Sequence, residues 1–283
     1  MADSALPRHR IRNLARACHP GPTVAVTAFS VALAAGANAP FTTTVLLGAA
    51  VLTGQLSIGW SNDWIDADRD RAVNRADKPV GAGALPASVV RNAAFLGLGA
   101  SVVFSMMLGW RAGLAHLFVV AMGWAYNLGL KSTAWSWLPY GLAFGTLPLA
   151  IALALPGHPV AAWWAMLGGA LLGVGAHGAN VIPDLQEDRA TGVRGLPHRI
   201  GRTATSIGSA VALMTVTVLA VLIPPGSPTV GAVAALLAAA CLTVGGMVSA
   251  LRGGRSRLPF TAALAVAGIN VVLLVLSDWV VPR

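Results

Sequence analysis

Ser61-Asn62-Asp63-Trp64-Ile65-Asp66-Ala67-Asp68-Arg69-Asp70 follows directly on an apolar run that begins near residue 42 and carries no charge. About 20 apolar residues are what a helix needs to cross ~30 Å of hydrocarbon. Four carboxylates within eight residues at the end of such a run place an acidic cluster where a membrane helix meets water. Asp63, Asp66 and Asp70 are spaced i, i+3, i+7, so they share one face if the helix continues past the surface. Asp68 falls off that face, and Asp77, which follows, does too.

The same pattern appears once more. Pro183-Asp184-Leu185-Gln186-Glu187-Asp188-Arg189 ends another apolar run, with Asp184 and Asp188 at i, i+4 and Glu187 off their face. Eight of the ten acids in the chain lie in these two places. The forms Asp66-xxx-Asp70-Arg71-Ala72 and Asp184-xxx-Asp188-Arg189-Ala190 coincide, and Pro79 and Pro197 follow at similar distances. This is a weak sign of an internal repeat, two four-helix halves plus one further helix.

Further apolar runs extend on both sides. Nine candidate spans are read: 20–37, 42–61, 88–108, 112–130, 137–154, 160–182, 204–223, 229–250 and 258–280. The 283 residues are 56% hydrophobic and 10% charged, against roughly 25% charged in soluble domains. Too few charges remain to cover a water-facing surface, so lipid is the main solvent. Seventeen of the nineteen Lys and Arg fall in the N-terminal segment and in every second connection, while Arg111 and Arg283 fall in the others. The positive-inside bias therefore puts the N-terminus and both acidic loops in the cytoplasm and the C-terminus outside. The expected fold is all-α and integral to the cell membrane: nine transmembrane helices around a central cavity, capped by cytoplasmic loops. Residues 1–19 read as a cytoplasmic leader without a cleavage site, and 20–283 as one domain. The net charge of +9 follows from topology, and nucleic acid is not an expected partner.

Stacked like charges near lipid are costly, and a divalent cation offsets them directly. Oxygen ligands with no Cys or His beside them suit Mg²⁺, which bridges a few carboxylates to phosphate oxygens. Arg71, Arg75 and Lys78 after the first cluster, and Arg189 and Arg194 after the second, would complete a diphosphate site. Within the spans the polar residues are Gln55, His116, Asn127, His177, Asn180 and Asn270. Interhelical hydrogen bonding explains each as well as substrate contact does. Asn180, one turn before Asp184, is retained as a site candidate. Most Trp sit near span ends and suit the headgroup level. Cys18 and Cys241 show no pairing or zinc spacing.

At these residues the chain resembles the UbiA superfamily of intramembrane prenyltransferases. The family's NDxxDxxxD motif is matched by Asn62, Asp63, Asp66 and Asp70, and its DxxxD motif by Asp184 and Asp188. Arg75-x-Asp77-Lys78-Pro79-Val80 with Gly83, Asp188-Arg189-Ala190-Thr191-Gly192-Val193-Arg194, Tyr126-xxxx-Lys131 and the Cys18-His19-Pro20 entry match its context over nearly the whole chain. The resemblance implies two Mg²⁺ ions held by Asn62, Asp63, Asp66, Asp70, Asp184 and Asp188. It implies diphosphate contacts from Lys78, Lys131 and Arg194, and Tyr126 beside the departing group. Asp63, Asp66, Tyr126 and Lys131 are the catalytic candidates, and Arg75, Lys78, Arg194 and Asn180 the diphosphate-binding ones. The implied reaction is Mg²⁺-dependent transfer of an isoprenyl group from its diphosphate to a small aromatic, quinone-precursor or other lipophilic acceptor in the bilayer. A terpene cyclase of the same superfamily, a polyprenyl-phosphate transferase and a transporter are the alternatives.

Overall fold

The computed structural model describes residues 5–72, 75, 78–224, 226–253 and 256–281, with side chains from His9 onward. Asp77, Arg255 and Arg283 lie outside the described residues. Each apolar run forms a helix: α2 Pro20–Gly36, α3 Phe41–Ile65, α5 Ala87–Met107, α6 Trp110–Leu128, α7 Leu138–Ala154, α8 Trp163–Val181, α10 Leu196–Leu222, α11 Val230–Leu251 and α12 Leu258–Val275. Shorter helices, α1 Ala5–Ala17, α4 Ala67–Ala72 and α9 Leu185–Ala190, join them. Proline at the first or second position starts α2, α7, α10 and α12, where its missing N–H costs nothing.

Among the described residues, six of the long helices are long and apolar enough to cross a membrane, and α1 with α2 forms a pair bent by 67° that passes the same test together. α3, at 25 residues, is roughly 37 Å long. Neighbours in sequence pack side by side from α2 through α3, α5, α6, α7, α8, α10 and α11 to α12, and α12 returns to α2, so the long helices close a ring. Large side chains such as Phe41, Leu96 and Val230 point outward fully exposed. So large an exposed apolar surface suits lipid, not water.

At one end of the ring Leu33, Leu108, Ala161, Ala162 and Trp279 form a tight apolar cluster. The polar connections gather at the other end.

Two sequence boundaries are corrected. The last apolar run does not continue to 280 as helix: α12 stops at Val275, and Val280 and Val281 pair antiparallel with Val160 and Ala161. The Trp279 backbone carbonyl there accepts from the Ala162 N–H, and the indole is buried among protein side chains. α10 starts at Leu196 instead of 204, because Gly201 (φ 84°) absorbs a kink that lets a charged first turn run into the apolar span. Within the N-terminal segment Ala5–Ala17 form the helix α1, and Trp60 Nε1 of α3 donates to the Leu14 carbonyl of that helix at 2.9 Å.

Gly59 is where α3 meets this corner. A Cβ there would stand 2.5 Å from the Cys18 carbonyl carbon, and backbone cannot yield as a flexible side chain can. Gly59→Ala is expected to cost about 1–3 kcal/mol, read as a lowered thermal midpoint of the detergent-purified protein. Gly99→Ala, where a Cβ meets nothing, serves as the control and should be neutral or stabilising. An unchanged midpoint for Gly59→Ala would refute the close packing of α3 on the His19 corner.

Candidate active site

Both acidic motifs are built in one way. α3 ends at Ile65, Asp66 caps it, and the six-residue α4 follows; α8 ends at Val181, a single 3₁₀ turn carries Asp184, and the six-residue α9 follows. Each short helix ends in the Asp-Arg-Ala sequence noted above. The first motif is not one unbroken helix, but the Asp66 and Asp70 amides still bond to the carbonyls of Asn62 and Asp66. The three carboxylates stay together: Asp63, Asp66 and Asp70 are all buried.

Three cations from three segments close on these acids. Asp66 is held by the Lys131 ammonium and, at 2.7 Å, by Arg69, while Asn62 Nδ2 donates to its Oδ2 at 3.2 Å. Asn62 is in turn fixed by Asn127, whose Oδ1 accepts from it at 3.1 Å; Asn127 Nδ2 donates to the Ile58 carbonyl and to Ser61 Oγ. Asn127 is thus an interhelical brace between α6 and the motif. Lys78 donates to Asn62 Oδ1 at 3.0 Å and to His19 Nε2 at 2.8 Å, and lies 3.8 Å from Asp63. The Val80 amide donates to Asp63 Oδ2. Gly81 packs on Asp70, where a Cβ would stand 2.8 Å from the Asp70 Cβ. Burial pushes the Asp70 carboxyl above the usual carboxylate range, against the pull of Lys78. Burial likewise pulls the Lys131 ammonium below the usual lysine range, and Asp66 opposes it.

Arg75 joins the motifs. Its guanidinium lies 3.7 Å from Asp184 and 3.5 Å from Glu187, more than a hundred residues away in sequence. Glu187, read from spacing as off the ligand face, therefore faces the first motif. Asp188 is held by His198 Nε2 at 3.3 Å, and the Arg189 guanidinium donates to the His198 carbonyl. Asp68 is almost fully exposed and pairs only with Arg71 at 2.6 Å among its described ion pairs, as its register implies. Arg194 stands exposed in an open pocket with Arg189, His198 and Arg199. Asn180 is half-buried at the end of α8, and no described hydrogen bond ties it to Asp184.

Membrane-ward of the acids lies an aromatic cluster. Tyr126 meets Tyr140 edge-on at 5.1 Å and His177 at 5.7 Å, and Tyr140 stacks on Phe144. Tyr126 lies near the end of α6, five residues before Lys131, which holds Asp66. Such rings can stabilise a nearby cation through their faces.

The residues fit divalent metal. Among the described residues Asp63 Oδ1 and Asp70 Oδ2 are buried without hydrogen-bond partners, the Lys78 ammonium standing 3.8 Å from the first, and a buried carboxylate oxygen without a hydrogen bond is costly. Among the described residues no three Asp, Glu, His or Cys side chains already converge as a closed cage. Mg²⁺ that takes its remaining ligands from water and phosphate does not need one.

Sequence reading missed His19, Arg69 and His198 as parts of the site. The signal for the first was its place before Pro20; the other two carry none in their spacing.

The family profile described as the UbiA prenyltransferase family matches residues 23–270. The chain is 33% identical over 180 residues to the bacteriochlorophyll synthase 33 kDa chain of Rhodobacter capsulatus, an alignment covering 56% of this chain and 55% of that one. It therefore spans about half the length of that curated relative. Among solved structures, the apo UbiA homolog from Aeropyrum pernix K1 matches with a TM-score of 0.73 at 20% identity, over 90% of this chain and 98% of that one. The UbiA homolog from Archaeoglobus fulgidus bound to GPP and Mg²⁺ matches with a TM-score of 0.68 at 16% identity, over 93% and 99%. These two likenesses establish the shared fold, and the profile, spanning both acidic motifs and the ring of helices between and around them, establishes descent: the chain belongs to the UbiA prenyltransferase family.

Proposed function

We propose that the chain is a multi-pass membrane prenyltransferase that moves an isoprenyl group from its diphosphate to an aromatic or quinone-precursor acceptor and releases diphosphate. In this reading all nine long helices cross the bilayer as one domain, with the N-terminus and both motifs cytoplasmic and the C-terminus outside. The observation that carries it is Arg75 spanning the two motifs beside buried carboxylate oxygens that lack hydrogen bonds among the described residues.

Two Mg²⁺ ions would be held by Asn62, Asp63, Asp66 and Asp70 on one side and Asp184 and Asp188 on the other. Bound there, they supply positive charge to the diphosphate oxygens as the allylic C–O bond breaks. Lys78, Lys131 and Arg75 already sit on those acids and would turn towards the diphosphate, with Arg194 meeting it from the open side. Fixed cations aimed at developing charge are the largest contribution such a site can make. Tyr126 and Tyr140 line the place where the allylic cation would form, and the surrounding helices exclude water that would quench it.

The protein in lipid is given Mg²⁺ and a series of isoprenyl diphosphates, with and without hydroxybenzoates, naphthoquinols or a chlorin. A chlorin belongs in the panel because of the bacteriochlorophyll synthase likeness. Diphosphate release that needs both metal and acceptor, abolished by EDTA and restored by Mg²⁺, is the expected result. Release without acceptor, accompanied by a cyclic product, would replace transfer with cyclisation. Metal-independent release would overturn the diphosphate site as drawn.

A further inference from the structure

His177 is the polar member of the aromatic wall. It is 2% exposed, and its ring meets those of both Tyr126 and Tyr140, at 5.7 and 5.0 Å. Its Nε2 is 3.1 Å from Ser136 Oγ. Ser136 Oγ also accepts the Leu196 backbone N–H at 2.9 Å. With the Leu196 N–H on one lone pair, His177 Nε2 is the acceptor that the described residues offer to the buried Ser136 proton, and the proton is assigned there. A neutral imidazole that accepts at Nε2 carries its own proton on Nδ1. That Nδ1 is buried and has no hydrogen-bond partner among the described residues.

Unpaired buried donors are rare and costly, and one held in place by a second residue calls for a reason. Ser136 itself is held by the loop after the second motif: a Cβ on Gly195 would meet Ser136 Oγ at 2.8 Å. The tautomer is therefore set by the backbone that closes the site.

His177 lies seven residues before Asp184 on the same arm of the chain, roughly 10 Å deeper along a helix. Its described side-chain bond is to Ser136 and not to either motif. It stands beside the rings, where a flat acceptor would lie in the transfer reading.

Resting on the transfer reading, we propose that the His177 Nδ1–H anchors the acceptor by donating to one of its oxygens, a phenolate, carboxylate or quinone carbonyl, with the acceptor ring against Tyr126 and Tyr140. Ser136 is a positioning residue that fixes the tautomer. The site thus selects aromatic acceptors bearing an oxygen that can receive this bond, over apolar acceptors of the same shape.

The test uses the full chain in lipid with geranyl diphosphate as donor and 4-hydroxybenzoate or 1,4-dihydroxy-2-naphthoate as acceptor. Asn places its amide N–H near the Nδ1 position of histidine, and Gln places its own near Nε2. His177→Gln should raise the acceptor KM about tenfold, the weight of one buried hydrogen bond, with the geranyl diphosphate KM within about twofold. His177→Asn should bring the acceptor KM back to within about threefold of wild type. A merely structural role would move both KM values together and would not separate Asn from Gln. An unchanged acceptor KM in His177→Gln, or no recovery in His177→Asn, overturns the anchor. Diphosphate release by the wild type that is equal with and without either acceptor overturns the transfer reading instead, and the anchor falls with it.

Discussion

Asp66→Asn lowers diphosphate release about 10³-fold, the scale seen when one preorganised charged or polar partner is removed from developing charge. The reason is that Asp66 is the node of the site. It receives Lys131, Arg69 and Asn62, so one carboxylate orients two cations and an amide that would face the diphosphate. Asn keeps the shape and one acceptor oxygen but not the charge. Buried Lys131 and partly buried Arg69 are then left without the anion between them, and metal affinity falls because an anionic ligand is gone. Asp68→Asn, a change of the same kind two residues on at an exposed carboxylate, should leave release within about twofold. Folding is monitored by the thermal midpoint, so that lost activity is not lost protein. Asp66→Asn activity within tenfold of wild type at saturating Mg²⁺ would remove Asp66 from the machinery.

The contrast between Asp66 and Asp68 marks how far sequence carries. Spacing alone separated them, because helical period survives the break at Asp66: the backbone bonds that cross it still run four residues back. The ring of helices was equally legible, since each apolar run is long enough to form its own element without reference to the others. What spacing could not reach is what the ring brings together. Glu187 looked misplaced on the face of its own short helix, but its partner Arg75 comes from beyond the first motif. His19 and His198 are set by turns, one at a left-handed corner (φ 55°) and one after Gly195, and no period predicts where a turn delivers a side chain. The boundary errors share a cause. Hydropathy sees composition, so it stopped short of the charged turn that begins α10 and ran past the end of α12 into an apolar strand. The roles of Ser136 and His177 depend on a hydrogen-bond chain through three segments, invisible until they meet.

Lys131→Met tests whether that convergence is energetic as well as geometric. Lys131 and Asp66 are both buried, with side chains 9% and 6% exposed, and they face each other directly. Removing one end of a buried pair leaves the other uncompensated and costs about 3–5 kcal/mol; Arg69 remains on Asp66, so the lower end applies. A thermal midpoint lower by several degrees is expected. Met keeps the length and apolar stem of Lys, so the loss reports charge more than packing. Activity falls with it, about 10²-fold, since Lys131 is one of the cations that would meet the diphosphate. The decisive measurement is the double variant with Asp66→Asn. If the two groups act as one pair, the second change costs far less than it does alone, and the coupling is about 2 kcal/mol. In the double variant the midpoint should sit near that of the worse single one. Additive losses would mean that Arg69 and Lys78 carry the electrostatics of the first motif and that Lys131 only fills space beneath it.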